Sequence, residues 1–112
     1  MTYRIDLSSI AKAEADAVFL SISQFTTAEI AQLWYQGLIK AIASLQTMPR
    51  RCAIAREDTF FSKEIRQLLY GQGKQTYRIL FTVLEEQHVP TVRILHIRHA
   101  AQKTIGKSEV ED

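Results

Sequence analysis

Arg66, Arg78 and His99 are the side chains of this sequence best suited to chemistry. Each falls in a segment that reads as a β-strand, so strand pairing decides whether they meet. A guanidinium offers a planar fork of donors that matches two phosphate oxygens. An imidazole beside it can carry or accept a proton during phosphoryl transfer. Cleavage of RNA through its own 2′-hydroxyl needs a base, an acid and a cation to stabilise the pentavalent phosphorus, and that route requires no metal. The same residue types at strand ends also describe an ordinary solvated sheet edge.

His88 and His96 carry less signal: one is expected in a turn, the other flanking the helices. The histidines lack metal-ligand spacing with carboxylates, so neither a metal nor another cofactor is expected. Cys52 is the single cysteine. It cannot form an internal disulfide or, without partners, a zinc site. Neighbouring Arg51 could lower a thiol pKa, but a small hydrophobe is the simpler reading.

The elements that must position these groups follow from periodicity. Residues 3–7 (YRIDL) alternate as a short strand. Ser8 or Ser9 can cap a first helix, on which Ile10, Ala13, Ala17 and Leu20 form an apolar stripe ending near Gln24. Thr26 and Glu29 read as a capping box for a second helix, with Ile30, Trp34, Leu38, Ala41 or Ile42, and Leu45 as its apolar stripe and Pro49 closing it. So short a connection makes the pair an antiparallel hairpin. Residues 50–63 read as an irregular connection, whose Phe60-Phe61 either pins the loop to the core or forms a partner-binding lip. Residues 64–70, 76–84 and 91–99 read as strands, with Gly71 to Lys74 as a turn. The fold class is α+β: an N-terminal strand, then a helical hairpin on one face of a mainly antiparallel sheet of three to four strands.

A four-residue loop from Gln87 to Pro90 would pair Glu86 with Thr91, Leu84 with Arg93, Thr82 with Leu95, Leu80 with Ile97 and Arg78 with His99. Arg78 and His99 would then sit side by side on the face away from the helices. Arg66 joins them or faces the other way, depending on the parity of the preceding hairpin. Leu80, Leu84, Leu95 and Ile97 would form an apolar patch on that open face. Monomers seldom leave such a patch bare, so a partner's amphipathic helix or extended strand is expected to cover it.

The charge is uneven. Residues 1–49 hold three basic and four acidic groups, and residues 50–107 hold eleven basic and five acidic groups. A phosphate backbone or an acidic partner would therefore bind the second half, where Arg66, Lys74, Arg78, Arg93, Arg98 and Lys103 lie. A merely solvated surface is the alternative. Residues 1–107 are read as one domain, and the acidic residues 108–112 as a disordered tail. The N-terminus does not read as a secretory signal, and no apolar run nears the roughly 18 residues of a membrane span. A cytoplasmic location without membrane contact is expected.

Several segments in order resemble the RelE/ParE toxin family over nearly the whole chain. They are Ala11 to Asp16, Ala31 to Trp34, Ile42 to Leu45, Met48 to Cys52, Glu64 to Gly71, Tyr77 to Phe81 and Ile94 to Ala101. The resemblance implies the toxin half of a type II toxin–antitoxin pair, inhibiting growth and held by a ParD- or RelB-like antitoxin in a hetero-oligomer. RelE-like members cleave mRNA in the ribosomal A site without metal, whereas ParE-like members poison DNA gyrase.

Arg78 matches the family's arginine in a Tyr-Arg-hydrophobic motif. His99 matches the histidine that opens a His-Arg-Arg run in many ribonuclease members. Here the run reads His99-Ala100-Ala101, and Lys103-Thr104-Ile105 stand where a catalytic tyrosine usually follows. The lysine pair of many RelE-like members is also absent, leaving Arg66 as the basic residue of its strand. These departures resemble the ParE-like branch. A ribonuclease using Arg78, His99 and Arg66, and a non-toxic antitoxin-binding module, remain the alternatives.

Overall fold

The computed structural model describes residues 2–86 and 88–102. Its elements are β1 (Arg4–Leu7), α1 (Ser9–Phe25), α2 (Ala28–Ala43), β2 (Ala53–Ile54), β3 (Arg66–Tyr70), β4 (Tyr77–Leu84) and β5 (Thr91–His99), with short 3-10 turns between α2 and β4. The strands form one five-stranded sheet in the order β1-β5-β4-β3-β2. β1 runs parallel to β5 and the remaining pairs are antiparallel. The sheet is thus wider than three to four strands, because β1 joins one edge and Ala53–Ile54 of the supposedly irregular connection joins the other. Lys103 and the acidic segment 108–112 lie outside the described residues.

The helices cover one sheet face. Leu38, Ile42 and Leu45 pack there on Ile79, Phe81, Val92, Ile94 and Ile97. The apolar stripe of α2 therefore turns inward as its 3.6-residue period requires, although Ile30 at its first turn is exposed. The stripe of α1 is rotated from expectation: Ala11 and Ala15 are buried, whereas Ala13, Ala17 and Leu20 face outward. Small side chains at Ala11 and Ala15 let α1 lie close to the core. The cap of α2 also differs by one residue. Thr27, not Thr26, accepts the Ile30 N–H at 3.1 Å. Thr26 instead ends α1, its hydroxyl donating to the Ile22 carbonyl at 2.6 Å.

The β4–β5 register decides what each face displays. Leu84 pairs with Thr91, Thr82 with Arg93 and Phe81 with Ile94; after an irregularity Leu80 pairs with His96, Ile79 with Ile97, Arg78 with Arg98 and Tyr77 with His99. Leu95 is the extra residue of a bulge. A period-2 strand that gains one residue exchanges its two faces beyond that point. Thr91, Arg93 and Arg98 consequently take the parity away from the helices, as does His96, whose ring still meets Glu14 of α1, while Ile97 and His99 are turned to the helix side.

Beyond Leu7, β5 has no strand on its outer edge among the described residues, and the start of α1 supplies partners. The Ser8 N–H donates to the Ile94 carbonyl at 3.0 Å and its hydroxyl to the Leu95 carbonyl at 3.1 Å. Glu14 Oε1 accepts the Ile97 N–H at 2.9 Å. An edge that would otherwise offer bare backbone groups is closed by two side chains.

Candidate functional site

On the face away from the helices, Arg78 projects from the middle of the sheet opposite Arg98. Like charges placed directly across two strands repel. A carboxylate offsets this: Glu57, from the segment between β2 and β3, receives Arg78 Nη1 at 2.8 Å and Nη2 at 2.5 Å. Arg78 Nε donates to Gln67 Oε1 at 2.9 Å. Glu57 is 0% and Arg78 4% exposed, so this fork is spent inside the protein rather than displayed.

The segment that brings Glu57 also covers the apolar part of the face. Ala55 and Ile65 pack with Leu80 and Leu95 in a second small core, and Phe61 lies against it. The bare patch expected from the pairing scheme is therefore absent. Leu80, Leu84 and Leu95 are at most 6% exposed, and Ile97 at 2% belongs to the helix-side core. The Phe60-Phe61 pair divides, with Phe61 half-buried against this core and Phe60 exposed.

His99 does not join Arg78. Its ring stands edge-on to Tyr77, with centroids 5.2 Å apart, and Tyr77 meets Trp34 of α2 at 5.4 Å. Nε2 lies 2.6 Å from the Lys74 carbonyl, and Nδ1 accepts the Ala101 N–H at 3.0 Å. Those partners fix the neutral tautomer with its hydrogen on Nε2, and both ring nitrogens are used by backbone. Arg66 is paired with Phe81 and so shares the helix-side parity. Its Nη1 donates to the Cys52 carbonyl at 2.6 Å and the Arg50 carbonyl at 3.1 Å, and its Nε to Glu64 at 2.9 Å. Of the six cations singled out, Arg78, Arg93 and Arg98 share the far face. Arg66 is a corner brace and Lys74 sits in an exposed turn. Arg93 Nε is 3.0 Å from Asp6 Oδ2.

This arrangement of strands and helices has a counterpart among solved structures. A chain of the structure described as "Chromosomal ParDE TA system from P. aeruginosa" matches 88% of this chain and 96% of its own length, at TM-score 0.68 and 18% identity. The chain shares that fold. No protein-family model and no curated protein matches the sequence. At 18% identity the match speaks to architecture alone, namely two helices on a mixed five-stranded sheet with an N-terminal strand.

Apolar side chains are exposed at Met48 (75%) and Leu69 (57%), and on the helical hairpin. Phe25 at its tip is 84% exposed, Leu33 68% and Leu20 58%. A cleft of about 410 Å³ opens at the C-terminal end of β4, lined by Arg50, Lys63, Glu64, Thr82, Leu84 and Glu85 among others. There Glu85 accepts a hydrogen bond from Tyr3 at 2.7 Å and one from Arg50. The Tyr3 hydroxyl and then the Arg50 guanidinium hold the Glu85 carboxyl below its ordinary range, while Glu85 and burial raise the Tyr3 phenol. Burial likewise pushes the Cys52 thiol up, opposite to what a nucleophile needs.

Two polar residues of consequence escaped sequence reasoning. Glu57 gave no signal beyond being one acid in a basic loop. His96 is expected to flank the helices and does meet Glu14 Oε2 of α1, its Nδ1 at 3.2 Å, but its burial at 4% exposed carries no sequence signal. Among the described residues no group of three His, Cys, Asp or Glu is placed to hold a metal ion, and no helix is long and apolar enough to cross a membrane.

Proposed function

We propose that the chain is the toxin component of a type II toxin–antitoxin system, that it acts on DNA gyrase in the manner of ParE-like toxins, and that a cognate antitoxin neutralises it. The observation that carries this reading is the end-to-end match to a chain of a ParDE system, covering 96% of that chain. It coincides with the family resemblance of the ordered segments from Ala11 to Ala101. Phe25, Leu33 and Leu20, exposed on the hairpin, support a protein partner, since apolar exposure accompanies interaction surfaces.

The geometry weighs against metal-free mRNA cleavage. A metal-free ribonuclease needs its cation and its imidazole on one accessible surface. Arg78 is sequestered by Glu57, and His99 lies on the other face with both nitrogens bonded to backbone.

Pulsed expression in a bacterial host, read in parallel for translation rate, mapped mRNA cuts and plasmid supercoiling, tests this. A gyrase poison gives filamentation and altered supercoiling while translation continues at first. Co-expression of the product of a short neighbouring reading frame restores growth. Rapid translational arrest with mRNA cuts would favour the ribonuclease, and normal growth would favour a module that only binds its antitoxin.

A further inference from the structure

The sheet has a gap at the end of β4. Arg66–Phe81 is the last pair between β3 and β4, so Thr82, Val83 and Leu84 run on without a strand on that side among the described residues. The chain swerves just before β3: the Glu64 carbonyl takes the Thr82 hydroxyl at 2.9 Å, and the Ile65 N–H goes to Asp58 Oδ1 at 2.7 Å. The cleft of about 410 Å³ is lined by both sides of this gap, with Lys63 and Glu64 facing Thr82 to Glu86.

The pleat decides which backbone groups face the cleft. The Ile65 carbonyl accepts the Ala55 N–H, on the β2 side. Arg66 therefore turns its N–H and C=O to Phe81, and Val83, two residues on, turns its own the same way, into the gap. Among the described residues nothing bonds to either group of Val83, which leaves an open strand edge.

The charges give that edge a direction. On the walls Glu85 is held by Tyr3 and Arg50, and Glu64 by Arg66. Lys63 lies at the end closed by Glu64 and Glu86 at the opposite end, and among the described residues neither has a hydrogen-bond or ion-pair partner. A segment beside Val83 and antiparallel to β4 follows the line of β3, so its chain must end against Glu64 and Lys63. Its terminal carboxylate then meets the Lys63 ammonium. Laid the other way, it would bring a terminal ammonium to Lys63. The carboxylates of Glu64, Glu85 and Glu86 repel a polyanion, so a nucleic-acid strand is a poor fit.

We propose that this gap binds the free C-terminus of a partner peptide as a short antiparallel strand on β4. Val83 pairs with its main chain, Lys63 holds the terminal carboxylate, and Glu86 takes a basic side chain three residues earlier. Affinity comes from the main chain and the two end charges, as in strand addition to a sheet edge. The inference goes beyond the toxin reading and stands on the cleft alone.

The probe is the tetrapeptide acetyl-Lys-Thr-Val-Thr with a free carboxylate, set against its C-terminal amide; β-branched residues suit a strand. Amide spectra of the isotope-labelled full chain are followed for the wild type and for Lys63→Ala, an exposed position outside the core. The Val83 amide should shift and its hydrogen exchange should slow on adding the acid form, while Ile79 and Ile94 stay unmoved. The amide form should bind about fivefold more weakly, the range of an exposed ion pair. Lys63→Ala should bind both forms alike. A Val83 amide that ignores the acid peptide at a large molar excess would overturn the proposal. So would equal binding of the two forms by the wild type, or discrimination that survives in Lys63→Ala. A short oligothymidylate that moves Val83 where the peptide does not would also overturn it. Growth inhibition is not read, so failure of the toxin reading leaves these outcomes untouched.

Discussion

Arg78 and His99 lie on opposite faces of one sheet, Arg78 across from Arg98 and His99 across from Tyr77. The pleat that separates them prevents a proton relay, and each is committed elsewhere: Arg78 to Glu57, His99 to the Lys74 carbonyl and the Ala101 amide. Both act as structural fasteners of a surface that sequence alone presents as reactive.

Arg78→Ala should destabilise strongly, because it leaves the fully buried Glu57 carboxylate without its fork. Breaking a buried pair from one side costs about 3–5 kcal/mol. Urea unfolding of Arg78→Ala and of the Arg78→Met/Glu57→Leu double variant checks this. The double variant should recover most of the loss. A single variant within about 0.5 kcal/mol of wild type, the range of neutral surface changes, would show that the pair carries little.

The two threonines between the helices should separate cleanly. Thr27→Ala removes the side-chain acceptor of the Ile30 amide and should cost about 1 kcal/mol. Thr26→Ala removes an exposed hydroxyl that only donates back to Ile22 and should stay within about 0.5 kcal/mol. Thermal or urea unfolding of both reads the difference. The reverse order would restore the capping box expected at Thr26 and Glu29.

Gly37→Ala should destabilise, although alanine is the better helix former by about 1 kcal/mol. A Cβ at position 37 would overlap the Tyr70 hydroxyl, which donates to the Trp34 carbonyl at 2.7 Å. Tyr70 must then retreat and surrender that bond. Overpacking of this kind costs about 1–3 kcal/mol, which exceeds or cancels the propensity gain. Combining Gly37→Ala with Tyr70→Phe should relieve part of the loss, and a stabilising single variant would contradict the contact.

Stability should fall on the alkaline side as tyrosines ionise. Tyr3 is raised by its hydrogen bond to Glu85, then by burial; Tyr70 and Tyr77 are raised by burial. A group whose folded pKa exceeds its unfolded value contributes fully below the unfolded value, near 10, and loses that contribution as pH rises through the folded one. On the acid side Glu85 has the opposite sign, its contribution present above the ordinary glutamate value of 4.5 and lost as pH drops through the lower folded value. Urea midpoints across pH, compared with Tyr3→Phe, should show the variant losing part of both slopes. Identical profiles would count against the Tyr3–Glu85–Arg50 cluster.

Much of the fold was legible because its signals are local. Alternation marks β1, the 3.6-residue period of Leu38, Ile42 and Leu45 marks α2, and β-branched and aromatic runs mark β4 and β5. Gly71 and Gly73 occupy the positive φ values that the turn between β3 and β4 requires, 101° and 55°. The candidate site was less legible because it depends on parity. One bulged residue, Leu95, moved Ile97 and His99 to the helix face, and nothing in the run Thr91 to His99 announces it. The same limit applies to the far face. A two-residue strand at Ala53–Ile54 and a loop that carries its own buried acid have no periodicity to read, so Leu80 and Leu95 looked bare.

The most direct measurement is DNA supercoiling by purified gyrase with increasing amounts of the folded chain. A ParE-like toxin should abolish supercoiling or trap cleaved DNA at near-stoichiometric ratios, and prior addition of its antitoxin should restore the enzyme. Undiminished supercoiling at a large molar excess of folded chain would contradict the proposed function.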